Sequence, residues 1–305
     1  VRQDELVGYG EAHPSPRYGD STDLMLSSLE VGSGLLADLP VDDPEEWYPW
    51  LEELMPTSPS ARSAFDMALW DLKGQREGKS IAGLLQTPEI KVKSSYTVSL
   101  AEPAMLRQRL EIALGYPIVK IKMGGEWDGE SLDIMNDIPD VVFRLDVNEG
   151  WNLEAVDKLL PQLETVALDL IEQPFPRGSY DEVAALRELV DTPIFADEDC
   201  LKPDDLPVLA ECYDGVNIKL AKCGGITVVR RMIDTARELG LKVMLGCVVE
   251  TSLASTAMGH LAGFGDYLDL DGHVLLREDP YKGLVNDYGI MRLPATPGLG
   301  ITPRD

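Results

Sequence analysis

The sequence predicts an α/β protein built around a TIM-like (β/α)7β barrel, with an α+β capping domain in front of it. The main observation is periodic: from residue 92 onward, eight short runs rich in β-branched residues start 22–27 residues apart, with helical stretches between them. Strands that alternate with helices at this spacing form βα units, and eight units close a barrel. The second observation is length, because 305 residues accommodate a barrel and a smaller unit. A doubly wound open sheet is the alternative, although the first βα turn lacks the GxGxxG pattern.

Residues 1–91 are predicted to form the capping domain. They contain a glycine-broken strand at 6–12, a helical stretch at 21–38 and a loop with proline and tryptophan at 42–56. A helix is predicted over 60–76, where small and apolar residues recur at helical spacing and Ser60 precedes them as the N-cap. The chain begins within a strand and without an initiator methionine, so we expect this capping domain to be partial, with its N-terminal part truncated.

The barrel is predicted over residues 92–275. Its strands are expected at 92–98, 117–123, 141–147, 167–173, 193–198, 215–220, 242–250 and 267–271. The eighth strand has no clear helix after it. Residues 276–305 are instead rich in proline and glycine, and we predict that they return to cover the capping domain.

Composition restricts the possible partners. There are 27 Lys and Arg residues against 53 Asp and Glu residues, which gives a formal charge of −26. Nucleic acids and anionic membranes would repel such a chain, so a small-molecule substrate is expected, and a homo-oligomer stays open. No run of about 18 apolar residues predicts a membrane span. The four cysteines show no metal or disulfide spacing, which favours a reducing cytoplasm.

Ionisable residues lie toward the C-terminal ends of the predicted strands. A buried parallel strand is normally apolar, so each charged residue in one needs a reason, and the C-terminal end of the strands is where barrels place their active sites. The residues, in chain order, are Lys120, Lys122, Asp146, Glu172, Asp197, Glu198, Lys219, Glu250, Asp269 and Asp271.

Three of these carboxylates together predict a metal site, although for each one taken separately a structural salt bridge is the alternative. Asp146, Glu172 and Asp197 come from three successive strands, and like charges that close together are tolerated when a cation lies between them. Carboxylate oxygens suit Mg²⁺. Lys122 and Lys219 would then face each other across the cation as two bases, one for each face of a carbon acid. A solvated edge strand is the alternative for Lys120 and Lys122.

The motifs KIK at 120–122, FRLDVN at 143–148, IEQPFP at 171–176, ADED at 196–199 and NIKLAKCGG at 217–225 resemble the muconate-lactonizing subgroup of the enolase superfamily. The resemblance covers nearly the whole chain. It implies that Lys122 and Lys219 are the acid/base pair and that the three carboxylates bind Mg²⁺. It also implies that Lys120 lies beside the substrate carboxylate. Asp199 replaces the serine usual in the ADED motif.

The eighth strand indicates which reaction of the subgroup to expect. Asp269 and Asp271 lie two residues apart, which looks like the Asp-x-Asp element by which dipeptide epimerases bind the α-ammonium of their substrate. A Mg²⁺-dependent dipeptide epimerase is therefore expected, which transfers a proton at the α-carbon of the C-terminal residue through an enolate. A solvated strand end is the alternative for this pair.

Alternative functions stay open at this point. Within the subgroup these are N-acylamino-acid racemase, o-succinylbenzoate synthase and muconate cycloisomerase; a non-catalytic binding protein is the rival from another class. Glu250 at the end of the seventh strand is predicted to contact substrate. Lys222 is expected to be exposed, and whether it or Cys247 touches substrate is left open.

Overall fold

The predicted barrel is confirmed by the computed structural model, which describes residues 1–35 and 43–304. Eight parallel strands pair in chain order. Ser95 N donates to Leu268 O at 3.2 Å, and this contact joins the last strand to the first. The strands are β3 (Tyr96–Val98), β4 (Ile118–Lys122), β5 (Val142–Asp146), β6 (Leu168–Glu172), β7 (Ile194–Ala196), β8 (Gly215–Ile218), β9 (Lys242–Gly246) and β10 (Tyr267–Asp269).

Helices connect the strands and cover the outside of the barrel. The longest of these connecting helices, α11 (Ile226–Glu238), buries one face that includes Ile226, Val229 and Met232. The eighth strand is followed only by a short 3₁₀ turn, Gly272–Leu275, as expected. The helices are α5 (Pro103–Ala113), α6 (Asp128–Asn136), α7 (Leu153–Leu163), α8 (Tyr180–Arg187), α9 (Leu206–Cys212), α10 (Leu220–Cys223), α11 (Ile226–Glu238) and α12 (Ser252–Gly259).

Several strands are shorter than predicted, so four site residues lie just beyond a strand. Asp197 begins a turn in which Cys200 N donates to Asp197 O at 3.1 Å. Lys219 is the N-cap residue of α10, and Glu250 and Asp271 lie in the loops after β9 and β10. The carbonyl groups of Asp197, Lys219 and Asp271 accordingly accept from N–H groups three or four residues further along the chain.

The N-terminal unit contains two short paired strands, β1 (Arg2–Gln3) and β2 (Leu6–Val7), and a 3₁₀ turn, Pro16–Tyr18. Its helices are α1 (Thr22–Leu35), α2 (Pro44–Leu54), α3 (Pro59–Glu77) and α4 (Ile81–Leu85). The part of the predicted helical stretch at 36–38 lies outside the described residues.

The predicted loop at 42–56 is wrong, because most of it is helix α2. Pro44 stands at the start of the helix, where the missing N–H costs no helical hydrogen bond. The side chain of Asp43 accepts from Glu45 N at 2.9 Å and caps the first turn. Trp47 and Leu51 are buried on the inner face. Burial of this face outweighs the second proline, Pro49, within the helix.

Helix α3 begins one residue earlier than predicted, and its N-cap lies two residues earlier. Its N-cap is Ser58, whose Oγ accepts from Ala61 N at 3.3 Å, while Pro59 takes the first position. The hydroxyl of Ser60 donates instead to Asp20 Oδ2 at 2.5 Å. The expected cap at Ser60 is therefore wrong, because a buried carboxylate holds that side chain.

Helix α3 joins the N-terminal unit to the barrel. Its buried Asp66 accepts from Trp47 Nε1 at 2.8 Å and from Thr227 N at 2.9 Å, so the carboxylate caps the N-terminus of α11. Burial raises the pKa of Asp66 to about 6. Gly225, with φ of 126°, allows this approach: a Cβ there would lie 2.5 Å from Asp66 Oδ2.

The C-terminal segment contacts α3 and α4. Leu299 N donates to Asp71 Oδ1 at 2.8 Å, and Leu299 O lies 3.0 Å from Nε2 of the buried His260. The segment contains β11 (Tyr281–Lys282), paired with β14 (Thr302–Pro303), and the hairpin β12 (Val285–Asp287) and β13 (Ile290–Arg292). The boundaries at 91 and 275 stay predictions. None of the helices in the described ranges is long and apolar enough to cross a membrane.

Candidate active site

The barrel places Lys120 and Lys122 at the C-terminal end of β4. This strand pairs with β3 on one side and β5 on the other, so it is no edge strand. Lys120 is buried, with 2% of its surface exposed, whereas the Lys122 side chain is 32% exposed. The solvated-edge alternative is therefore wrong, and both side chains point into the mouth of the barrel.

Lys120 is surrounded by carboxylates. Its Nζ lies 2.6 Å from Asp269 Oδ2, 2.7 Å from Glu172 Oε2 and 2.9 Å from Asp146 Oδ2. Burial alone would lower the pKa of Lys120, but the three carboxylates outweigh it and raise that pKa well above its usual value. Lys120 is therefore a fixed positive charge at the bottom of the site.

The two lysines predicted as bases approach from opposite sides of the barrel. Lys122 Nζ lies 2.6 Å from Asp146 Oδ2 and 2.9 Å from Asn148 Oδ1. Lys219 follows β8, four strands away in a sheet of eight, and its Nζ lies 2.7 Å from Asp197 Oδ2. Burial would lower the pKa of Lys219, yet Asp197 raises it well above the usual value.

The three predicted metal ligands lie next to one another on the sheet. Asp146 pairs with Glu172 in register, and Asp197 follows the next strand. All three are completely buried. Burial raises the pKa of Glu172, and the neighbouring Asp146 raises it further. For Asp146 itself, burial would raise the pKa, but Lys120 and Lys122 hold it below its usual value.

The lysine ammonium groups lie between these carboxylates. Within residues 1–35 and 43–304, no three His, Cys, Asp or Glu side chains form a ready metal cluster. The residues nevertheless fit a cation, because Asp146 Oδ1 is buried and accepts no hydrogen bond from any described residue. Glu172 Oε2 likewise has its Lys120 ion pair but no hydrogen bond of good geometry. The ligand assignment stays a prediction.

The expectation that Lys222 is exposed is wrong. Lys222 is buried, and its Nζ donates to Asp197 Oδ1 at 2.5 Å and to Asp197 O at 2.6 Å. It shares the Asp197 carboxylate with Lys219. Burial would raise the pKa of Asp197, but the two lysines hold it well below its usual value. The cause is the turn of helix α10, which brings residues three apart to one side.

Sequence reasoning also missed four polar residues around the two lysines. Asn217 Nδ2 donates to Glu172 Oε1 at 2.7 Å and holds that carboxylate. The others are Arg17, Tyr18 and Asn148, which contact Glu198, Asp197 and Lys122, respectively. The alternation of side chains could have revealed Asn217, which lies two residues before Lys219 on the same strand face.

Asp269 and Asp271 both line a cavity of about 90 Å³ at the mouth of the barrel, together with Lys120, Lys122 and Lys219. Both Asp269 oxygens have partners, since Ser95 Oγ donates to Oδ1 at 2.7 Å and Lys120 binds Oδ2.

The pKa values of the two aspartates are shifted in opposite directions. Burial would raise the pKa of Asp269, but Lys120 lowers it. Asp271 Oδ2 accepts from Thr97 N at 2.5 Å, and its Oδ1 faces Cys247 Sγ at 3.8 Å. Burial, reinforced by Asp269, raises the pKa of Asp271 to about 6. Asp271 is thus the carboxylate less occupied by other partners.

Glu250 does not line this cavity. It is buried, accepts from Ser255 Oγ at 3.3 Å, and burial together with Glu11 raises its pKa to about 8. Cys247 does line the cavity. A larger groove of about 570 Å³ lies at the opposite end of the barrel beside Asp214 and Lys242, and it contains no predicted site residue. That end of a barrel serves stability rather than chemistry.

Comparison with known proteins agrees with this geometry. The family model for the mandelate racemase / muconate lactonizing enzyme N-terminal domain matches residues 1–86, and the enolase C-terminal domain-like model matches residues 104–305. The chain belongs to this family. The resemblance stated from the motifs is thereby confirmed.

Several relatives are amino-acid-derivative epimerases or racemases. An L-Ala-D/L-amino acid epimerase from Pedosphaera parvula is 34% identical, over 99% of this chain and 88% of that protein. An N-acetyl-D-glutamate racemase from Pseudoalteromonas is 31% identical, over 92% and 87% of the two chains.

Solved structures give the same picture. The dipeptide epimerase from Methylococcus capsulatus, complexed with Mg, superimposes with a TM-score of 0.89 at 29% identity, over 98% of this chain and 91% of that chain. The dipeptide epimerase from Cytophaga hutchinsonii, complexed with Mg and D-Ala-L-Val, gives 0.88 at 29% identity, over 97% and 85%.

Proposed function

We propose that this protein is a Mg²⁺-dependent dipeptide epimerase that inverts the α-carbon of the C-terminal residue. The observation that carries the proposal is that Lys122 and Lys219 line one small cavity from opposite sides of the barrel, with Asp269 and Asp271 in the same cavity. Two bases on opposite faces of one carbon are what a 1,1-proton transfer requires. The epimerases among the relatives and neighbours support this reading.

Asp146, Glu172 and Asp197 would hold the Mg²⁺. Their oxygens are the ligands that this ion prefers, and two structural neighbours are complexed with Mg. When bound, the ion would supply positive charge that stabilises the negative charge on the substrate carboxylate as the α-proton leaves. Lys120 would add a fixed positive charge from below, since carboxylates hold it ionised.

The two lysines would exchange roles with the direction of the reaction. On one face, a neutral lysine accepts the α-proton and becomes an ammonium group, while the C–H electron pair moves into the enolate. On the other face, the second lysine, which starts as an ammonium group, gives a proton to the same carbon. One proton leaves, one arrives, and the configuration inverts.

Asp271 favours a dipeptide over an N-acylated amino acid. A free dipeptide carries an α-ammonium, which a buried carboxylate such as Asp271 binds well. An N-acylamino-acid racemase is the second candidate. Lys120 already pairs with Asp269, so the selection of a substrate with a free ammonium depends on Asp271 alone. Relatives of both kinds exist, since one is an N-acetyl-D-glutamate racemase.

The test is α-proton exchange in D₂O with Mg²⁺, read by mass gain over a library of dipeptides and of N-succinylated amino acids. We expect deuterium at the second residue of dipeptides, with alanine or another small residue first. Lys158→Ala, which removes an exposed lysine on α7, is the matched control for Lys122→Ala. Exchange on N-succinylated amino acids alone would identify a racemase, and no exchange at all would favour a non-catalytic binding protein.

A further inference from the structure

The 3₁₀ turn Pro16–Tyr18 of the N-terminal unit reaches Lys219 directly. Lys219 Nζ donates to Tyr18 OH at 3.4 Å, and the same hydroxyl donates to Asp197 Oδ2 at 3.3 Å. The Tyr18 ring also covers this side, with its centroid 6.0 Å from Lys219 Nζ. Tyr18 therefore restricts the direction in which the Lys219 ammonium group points.

The neighbouring residue of the same turn reaches Lys122 through two side chains. Arg17 Nη1 donates to Glu198 Oε1 at 3.0 Å, and Asn148 Nδ2 donates to that oxygen at 3.2 Å. Asn148 Oδ1 in turn accepts from Lys122 Nζ at 2.9 Å. The three bonds fix the amide orientation, since a flipped amide would present its NH₂ group to Lys122.

The Asn148 backbone supports the same connection. Asn148 has a φ of 48°, a left-handed conformation that non-glycine residues seldom adopt. Arg17 Nη1 also lies 3.3 Å from Asn148 O and 3.5 Å from Glu149 Oε2. The guanidinium thus contacts both the backbone and the side-chain network that leads to Lys122.

We propose that Arg17 and Tyr18 are positioning residues, each for one of the two bases. Tyr18 orients Lys219 directly, and Arg17 orients Lys122 through Glu198 and Asn148. This inference rests on the proposed function. A lysine ammonium on a flexible four-carbon stem has to be held for proton transfer, because small displacements of a reacting atom are costly. One turn of the N-terminal unit would then set the geometry on both faces of the substrate.

The inference requires an assay that reports each lysine separately. Net epimerisation does not report each lysine separately, because each direction uses both lysines and the equilibrium constant fixes the ratio of the forward and reverse rates. Loss of the α-proton to D₂O from one pure isomer reports the abstracting lysine. The single variants Lys122→Ala and Lys219→Ala first establish which isomer each lysine deprotonates.

Tyr18→Phe is expected to slow proton loss about tenfold from the isomer that Lys219 deprotonates, because a hydrogen bond to a charged group is lost. The other isomer should change less than about threefold. Arg17→Gln is expected to give the opposite asymmetry, with a loss of about threefold to tenfold on the Lys122 side. A purely structural effect would lower both rates alike.

Two control variants distinguish a loss of lysine positioning from a general destabilisation of the N-terminal unit. Tyr9→Phe removes a tyrosine hydroxyl from the same unit, whose ring packs on Tyr281. Arg177→Gln removes an arginine that binds Arg17 O at 2.8 Å without belonging to the network. Neither should produce an asymmetry between isomers. Equal losses in Tyr18→Phe and Arg17→Gln would overturn the inference while leaving the epimerase intact; no proton loss from either isomer in the unaltered protein would overturn both.

Discussion

Replacement of Asp271 by asparagine tests how the substrate ammonium is recognised. The substitution keeps an oxygen that can accept from Thr97 N, so the local backbone contact survives and only the charge is lost. Asp269 is the weaker candidate partner, because Ser95 and Lys120 occupy both of its oxygens. The proposal therefore assigns most of the ammonium binding to Asp271.

The expected magnitude follows from that assignment. A hydrogen bond to a charged group is worth about 1.5–3 kcal/mol, and about 1.4 kcal/mol is a factor of ten in rate. Asp271→Asn should therefore lower kcat/KM for a free dipeptide by about 10- to 100-fold. N-acetylation of the dipeptide should cost the unaltered enzyme a similar factor, and should cost Asp271→Asn much less because the charge partner is already gone.

The assay is a cycle of two enzymes and two substrates, followed by mass gain in D₂O. Its pH dependence gives an independent check. The pKa of Asp271 is about 6 in the free protein, so kcat/KM for the free dipeptide should fall as the carboxylate protonates below that pH, and the preference over the acetylated dipeptide should shrink. If acetylation costs both enzymes the same factor, the ammonium assignment and the choice of dipeptide are wrong.

Three further predictions concern catalysis and stability. Lys122→Ala and Lys219→Ala should each abolish epimerisation while one of them still exchanges the α-proton of a single isomer; near-normal turnover in both variants would contradict the two-base scheme. Burial lowers the pKa of His260 to about 4, from 6.5 in the unfolded chain. The contribution of the neutral His260 to the free energy of unfolding is therefore complete above pH 6.5 and is lost as pH falls toward 4, by about 2 kcal/mol at pH 5. In urea denaturation, the free energy of unfolding of His260→Gln should decline less between pH 7 and 4.5 than that of the unaltered protein. Parallel declines in the two proteins would show that His260 is not the cause of the pH dependence. Gly225→Ala should destabilise the protein by about 2 kcal/mol or more, because Gly225 has a positive φ and an added Cβ would meet the Asp66 carboxylate. Gly34→Ala in helix α1 places its Cβ in open space and should not destabilise. Equal melting temperatures for the two variants would show that the turn at Gly225 adjusts to the added Cβ.

The sequence predicted the barrel well because its strands repeat a strong pattern. Each run of β-branched residues became a strand, and charged residues at the strand ends reached the barrel mouth. Strand ends were less accurate, since turns such as the one at Asp197 divert backbone bonds that a pattern of residue types does not show. Helix α2 was missed because the segment with proline and tryptophan at 42–56 was predicted as a loop, while burial of Trp47 and its neighbours decides the structure.

The site residues that lie at a strand end or within one sequence motif were predictable. The proposed positioning residues were not predictable, because Arg17 and Tyr18 come from the N-terminal unit, more than 100 residues away in sequence from the residues they contact. Lys222 could have been predicted from its spacing, since one helical turn separates it from Lys219. Glu250 shows the opposite limit: its position at the end of the seventh strand predicted substrate contact, whereas its buried side chain does not line the cavity.

Helix α3 has a consequence for how this protein could recombine with its relatives. Thirteen of its nineteen residues are buried, and it contacts α11, the C-terminal segment through Leu299 and its own N-terminal unit. An exchange of whole barrels at the predicted boundary at residue 91 would leave Asp66 facing a foreign helix start and a foreign residue in place of Gly225. A chimaera that keeps this cap therefore has to take α3 and the start of α11 from the same parent.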